Sequence, residues 1–195
     1  MTKTTSIVLA GVGGQGILLA SEFCAIAAGF AGFEVKTNEV HGMAQRGGSV
    51  IGQIRYGEQV FSPLVSKGEA SVLMSLERIE ALRYADFLAP DGLAVVNSQA
   101  LVPTTVSCGG AIYPENALEV LKSTFKNLIY LDANQIAQEL GNPKCANVVL
   151  LGALATALHN ISYDIWRDAI RQCVKPRFVD LNLEAFDRGA NAKSE

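Results

Sequence analysis

The feature that most constrains this chain is the run Gly11-Val-Gly-Gly-Gln-Gly16. It lies directly after the apolar, β-branched stretch Ser6-Ile-Val-Leu-Ala10 and opens an Ala- and Leu-rich segment over residues 15–28. An apolar run of strand length, a glycine turn and then helical spacing make a strand, a loop and a helix. Residues 33–40 alternate as a second strand once Gly29 and Gly32 have closed the helix. The opening is a Rossmann-like βαβ in pattern, and such units build α/β sheets with helices packed on both faces.

The remainder keeps that alternation. Residues 49–56 and 59–61 flank Gly57-Glu58 and are expected to form a hairpin, which makes the sheet mixed. Residues 70–76 and 93–97 read as buried strands around a helix over 76–88, with Pro90-Asp91-Gly92 as the intervening turn. Residues 98–113 carry no clear period and are expected to be a loop with short strands. Pro114 opens a helix with Leu118, Leu121 and Phe125 on one stripe, and residues 128–131 form a further strand. Asp132 and Gln135 have the spacing of a capping box, and Gly141 with Pro143 ends the helix they start. Residues 148–158 are apolar nearly all round, so that helix is either core or packed against a partner. Residues 162–173 form an amphipathic helix, and 182–189 a last short one. The expected architecture is a three-layer α/β/α domain with an open, mostly parallel, mixed sheet.

At roughly 150 residues per domain, 195 residues make one domain, 1–195. With 49% hydrophobic and 18% charged residues the chain has ample core material. A net charge of −3 argues against a broad grip on nucleic acid. The longest apolar run is about half of what a bilayer-spanning helix needs, so no membrane span is expected. Cys24, Cys108, Cys145 and Cys173 stand 84, 37 and 28 positions apart, far from the spacings of zinc or iron–sulfur sites. They are expected to be reduced, buried thiols of a cytoplasmic protein.

Two segments carry candidate chemistry. Gly11, Gly13 and Gly16 fit the GxGxxG pattern, in which glycine lets backbone N–H groups approach an anion at a helix N-terminus. The acid that usually accompanies such a loop would be Glu39, 23 positions after Gly16. The alternative is a turn that only tucks the helix against the sheet. The second segment, Glu39-Val-His-Gly-Met-Ala-Gln-Arg-Gly-Gly48, falls where the second strand ends, and strand C-termini are where open α/β sheets bind ligands. Arg46 offers a planar fork of donors beside the backbone of Gly47 and Gly48, which suits a phosphate or carboxylate. His41 can donate, accept or carry a proton near neutral pH, and is the candidate catalytic residue. The structural alternative pairs Arg46 with Glu39 or a partner's carboxylate and leaves His41 as a cap. His159, at the end of the apolar helix, is read as structural. No Ser, Cys or Lys nucleophile has a recognisable companion base.

Taken together, GVGGQGILLAS, the second strand and the RGG resemble the gamma subunit or domain of 2-oxoacid:ferredoxin oxidoreductases. The wording TNEVHGMAQRGGSV is most similar to the small (beta) subunits of the indolepyruvate branch. The resemblance extends to Asn147-Val-Val-Leu-Leu-Gly152 and to Asn182, Ala185 and Gly189. The pyruvate enzymes usually have an aromatic before the loop glycine and an acid before RGG; here His41 and Gln45 stand there. The resemblance implies oxidative decarboxylation of aryl-2-oxo acids with coenzyme A, giving acyl-CoA, carbon dioxide and reduced ferredoxin. It puts thiamine diphosphate, magnesium and iron–sulfur clusters in a large partner subunit. In this chain it points to Gly11, Gly13, Gly14, Gln15 and Gly16, and to His41, Gly42, Arg46, Gly47 and Gly48, as contacts for coenzyme A or the large subunit. The rival expectations are a free-standing dinucleotide-binding or redox protein, and glycine loops that serve only as subunit contacts.

Overall fold

The computed structural model describes residues 4–41, 47–101, 113–114 and 116–192, with the backbone alone for His41. Six strands form one sheet: β1 (Thr5–Val12), β2 (Glu34–His41), β3 (Ser49–Gly57), β4 (Ala70–Ser75), β5 (Leu88–Asn97) and β6 (Asn127–Leu131). Among the described residues seven α-helices accompany them: α1 (Ile17–Phe30), α2 (Arg78–Arg83), α3 (Ala117–Thr124), α4 (Ala133–Glu139), α5 (Ala146–Ala155), α6 (Tyr163–Cys173) and α7 (Val179–Ala190). The strand order is β2-β3-β1-β4-β5-β6. β1, β4, β5 and β6 pair in parallel, while β3 runs antiparallel between β1 and β2.

Strand residues alternate between two buried faces, which is why the central strands read as unbroken apolar runs. Ile7 and Leu9 of β1, Val72 and Met74 of β4 and Val95 of β5 join α1, α5, α6 and α7 on one face. Val8 and Ala10, Leu73, and Ala94 and Val96 pack with Leu121 and Phe125 on the other. This is the expected three-layer architecture.

Every residue of α5 is buried. The chain itself supplies the cover, so the helix is core: α7 approaches so closely that a Cβ on Gly152 would overlap the Phe186 carbonyl oxygen. Val148, Leu150, Leu151 and Leu154 are each 0% exposed, worth roughly 1.5–3 kcal/mol apiece relative to exposure. No helix among the described residues is long and apolar enough to cross a membrane.

Three local expectations need correction. The antiparallel partners of β3 are β1 and β2, and residues 59–61 form no strand. Phe61 is 84% exposed and Arg55 reaches out of β3 to the Leu64 carbonyl at 3.1 Å, so the segment after Gly57 leaves the sheet as a loop. Pro90-Asp91-Gly92 lies inside β5, at an irregularity where the register against β4 jumps from Ala70↔Leu88 to Val72↔Leu93. Proline is tolerated there because a bulge leaves a residue outside the ladder. The helix expected over 76–88 is limited to α2 and a 3-10 turn, Ala85–Phe87, because Glu77 supplies its cap one residue before Arg78. Most of the loop expected over 98–113 lies outside the described residues.

Candidate functional site

The carboxyl ends of β1, β4 and β5 meet at the edge of the sheet where the chain changes direction. From β1 it runs by way of α1 to β2 on one side, and β4, β5 and β6 extend the sheet on the other. Crevices at such switch points are where open α/β sheets hold ligands.

The glycine loop fills the bend between β1 and α1. Gly16 sits at φ 84° as the N-cap of α1, a left-handed conformation that costs other L-residues about 1–2 kcal/mol. A Cβ there would also lie 2.8 Å from Asn147 Nδ2. That amide, on the first turn of α5, donates to the Gly16 carbonyl at 3.2 Å and ties the loop to the helical layer. Gln15 does the rest of the fastening. Its Oε1 accepts from Val12 N at 2.7 Å, and its Nε2 donates to the Leu76 carbonyl at 2.9 Å and to Gln99 Oε1 at 2.8 Å. One side chain thus joins the ends of β1, β4 and β5.

The RGG segment meets this loop through the backbone. Gly13 N donates to the Gly48 carbonyl at 2.8 Å, and Gly47 N to the Gly13 carbonyl at 3.4 Å. The two candidate segments, 34 residues apart in sequence from Gly13 to Gly47, are therefore one structure. Directly after them, Ser49 Oγ hydrogen-bonds the Glu80 carboxylate and lies 2.9 Å from Tyr84 Oη, and Arg83 Nε pairs with Glu80 Oε1 at 3.0 Å. His41 ends β2 opposite Val50 in register. Gly42 and Arg46 lie outside the described residues.

Glu39 is not brought to the glycine loop. It is exposed on the edge strand, opposite Gly52 of β3, which is in turn opposite Leu9 of β1. An acid that reads a dinucleotide ribose needs its strand beside β1, and here β3 occupies that place. The dinucleotide-binding expectation thereby loses its acid. His159 is exposed between α5 and α6, away from this edge.

Two cavities flank the glycine loop. One, about 480 Å³, is apolar and lined by Val12, Gly13, Ile17, Leu18 and Val50. The other, about 490 Å³, lies toward β4 and β5 and is lined by Gln15, Gln99, Asn134, Lys144 and Asn147 together with Leu76. Sequence reasoning had given Gln99, Asn134 and Lys144 no role, and had noted Asn147 only within a longer resemblance.

Beneath the second cavity two buried polar residues hold the strand ends. Asn97, 0% exposed, donates through Nδ2 to the Leu76 carbonyl at 3.1 Å and to Asn134 Oδ1 at 2.7 Å, and accepts from Ala133 N at 3.0 Å. Glu77 caps α2 through Ile79 N and Glu80 N, and its Oε1 accepts from Leu101 N at 3.2 Å and Tyr113 Oη at 2.6 Å. Burial, then the Glu77 carboxylate, pushes the Tyr113 phenol up to about 12, so it stays a donor at neutral pH. A polar residue ending a buried apolar run, as Asn97 ends Ala94-Val-Val, was the available signal for this network.

Comparison with known proteins agrees with this architecture. The family model for pyruvate ferredoxin/flavodoxin oxidoreductases matches residues 6–192. The indolepyruvate oxidoreductase subunit IorB of Pyrococcus horikoshii is 42% identical, over 99% of this chain and 98% of its own. Among solved structures, the keto/oxoacid ferredoxin oxidoreductase gamma subunit of Geobacter sulfurreducens superposes with a TM-score of 0.70 at 24% identity, covering 95% of both chains. The 2-oxoglutarate:ferredoxin oxidoreductase of Magnetococcus marinus, solved with 2-oxoglutarate, coenzyme A and succinyl-CoA bound, superposes with a TM-score of 0.72 at 24% identity. It covers 100% of this chain, which spans 32% of that longer one.

Proposed function

We infer, from a chain that belongs to the pyruvate ferredoxin/flavodoxin oxidoreductase family, that it works as the accessory subunit of an oxidoreductase acting on aryl-2-oxo acids of the indolepyruvate kind. The observation that carries the reading is the 42% identity, over nearly the full length of both chains, to a subunit named for indolepyruvate. In this reading the complex converts the oxo acid and coenzyme A to acyl-CoA and carbon dioxide, and passes the electrons to ferredoxin. It works in the cytoplasm.

Thiamine diphosphate, magnesium and the iron–sulfur clusters belong to the larger partner. Cys24 and Cys145 do not suit a cluster, because burial raises both thiols and a cluster needs thiolates. Coenzyme A, which supplies the acyl-accepting thiol, fits better. Its phosphates suit Arg46 and the backbone N–H groups that the joined glycine segments do not spend on each other, with His41 hydrogen-bonding at the rim. The apolar cavity beside Ile17 and Leu18 suits the pantetheine arm or a side chain of the partner.

The test is an anaerobic affinity pull-down of the chain from its native cells, with iron and thiamine assays on what co-elutes. A stoichiometric large partner rich in both is expected, and a clean monomer or homo-oligomer would sink the subunit reading. In the recovered complex, Arg46→Ala should raise the KM for coenzyme A more than it lowers kcat. Unchanged kinetics would remove Arg46 from the site.

A further inference from the structure

The end of the sheet opposite the glycine loop carries a polar row to which the subunit reading gives no role. β1 and β4 begin there, and β3, running the other way, ends there. Ser6 of β1 is opposite Arg55 of β3. On its other side β1 pairs Ile7 with Val72, so Ser6 and Ser71 stand one step earlier on neighbouring strands. Side chains alternate along a strand, which puts Arg55, Ser6 and Ser71 on the face of Val8 and Leu73. Two residues further in, that face is core. Here it opens on a cavity of about 580 Å³, lined by Ser6, Arg55 and Ser71 together with Glu69 and Asp91.

The chain leaves the groups around this cavity unsatisfied. Half-buried Arg55 spends Nη1 on the Leu64 carbonyl at 3.1 Å and, more loosely, on the Ser62 carbonyl at 3.5 Å. Its Nε is sealed from solvent without a partner, and no described carboxylate neutralises the guanidinium, so Nη2 remains for a ligand. Ser6, 3% exposed, and Ser71 make no side-chain hydrogen bond to a described residue. Buried polar groups without partners are costly, so a cation and two hydroxyls on one opening ask for an acceptor from outside. Hydroxyls on strands about 4.8 Å apart can each donate to one oxygen of a single carboxylate, with the guanidinium beside them. The rest of the rim is acidic: Glu69 is exposed and has no ion-pair partner among the described residues, and Asp91 holds Lys126 at 2.6 Å. Those two carboxylates repel a phosphate dianion, and the guanidinium repels a metal cation. An aromatic ligand would find only Ala89 as an apolar side chain in the described lining. What fits is a small polar molecule carrying a carboxylate and an ammonium together.

We propose that this crevice binds a free zwitterionic α-amino acid with a small or polar side chain, its carboxylate on Ser6 Oγ, Ser71 Oγ and Arg55 Nη2 and its ammonium on Glu69 and Asp91. Ser6 and Val12 lie at the two ends of β1, about 20 Å apart at the rise of a strand, so the crevice is well removed from the glycine segments. The proposal does not rest on the subunit reading.

The test is calorimetric titration of the full-length chain with L-serine and L-glutamine, and with acetate, methylammonium and inorganic phosphate as controls, repeated on Ser71→Ala and Glu69→Gln. Arg55 also fastens the loop after β3, so Arg55→Gln would report on folding as well as binding, and the two milder substitutions carry the test. Unchanged melting temperatures establish that these variants are folded. At least one of the amino acids is expected to saturate at millimolar concentration. Its Kd should rise roughly tenfold in Ser71→Ala, the worth of one hydrogen bond to a charged group, and roughly threefold in Glu69→Gln, where an exposed charge is lost. Acetate and methylammonium, each half of the zwitterion, should not saturate in the same range. Acetate or phosphate binding as tightly as the amino acids would reveal a plain anion site and overturn the proposal. So would no saturation by either amino acid, or binding undiminished in both variants. The pull-down tests the subunit reading and leaves this result untouched.

Discussion

Gly16 and Cys24 show how much a single position carries. At Gly16 the left-handed backbone and the nearby Asn147 amide act together, so Gly16→Ala is expected to cost about 1–3 kcal/mol in urea unfolding. A loss within about 0.5 kcal/mol, the range of an ordinary surface substitution, would mean that the loop relaxes freely. Cys24 is 1% exposed, and burial pushes its thiol from 9.0 to about 12. The folded state therefore holds a proton that the unfolded state gives up. The stabilising share of Cys24 is whole below pH 9 and is lost as pH rises from there toward 12. Iodoacetamide at pH 8.5, read by mass spectrometry, should leave Cys24 unmodified in the native chain and alkylate it in urea, because only thiolate reacts. Rapid native modification would contradict that burial. These environments were partly legible beforehand: Gly16 followed from its motif, whereas the reason only glycine fits came from Asn147, 131 residues away.

Among the elements, α5 and α7 form the tightest seam. Gly152→Ala would drive a Cβ into the Phe186 carbonyl and to 2.8 Å from Ala190 N, a backbone collision that no rotamer relieves. A loss of about 1–3 kcal/mol or more is expected. The single tryptophan, Trp166, stacks on Phe186 at 6.5 Å and reports the seam directly. Thermal melts followed by its fluorescence should show a lower Tm and an altered native signal. An unchanged melt would mean that the helices can part. The strands and helices were readable wherever burial left an unbroken apolar run, as in β1 and α5, or a helical period, as in the Ser162-capped α6. They were misread where a local signal had a non-local use. Gly57-Glu58 looked like a hairpin turn, but the pairing of β3 is decided by strands that precede it. Pro90 looked like a strand break because a bulge is invisible in sequence.

Over the whole molecule, the layers and both glycine segments could be anticipated, and the polar crevice could not. Gln99 follows β5, Asn134 lies on the first turn of α4 and Lys144 in the 3-10 turn before α5, and the sheet order brings them to one edge. No spacing rule relates residues placed together by a crossover. The order has a further consequence, for the chain as it is made. β1 leaves the ribosome ahead of both its neighbours, β3, ending at Gly57, and β4, ending at Ser75. Its second edge stays open while the 63 residues from Val12 to Ser75 are made, about 3–13 seconds at ordinary synthesis rates. The strand that becomes the most protected part of the fold begins as its most adhesive, and shielding it during those seconds falls first to α1 and then to β3.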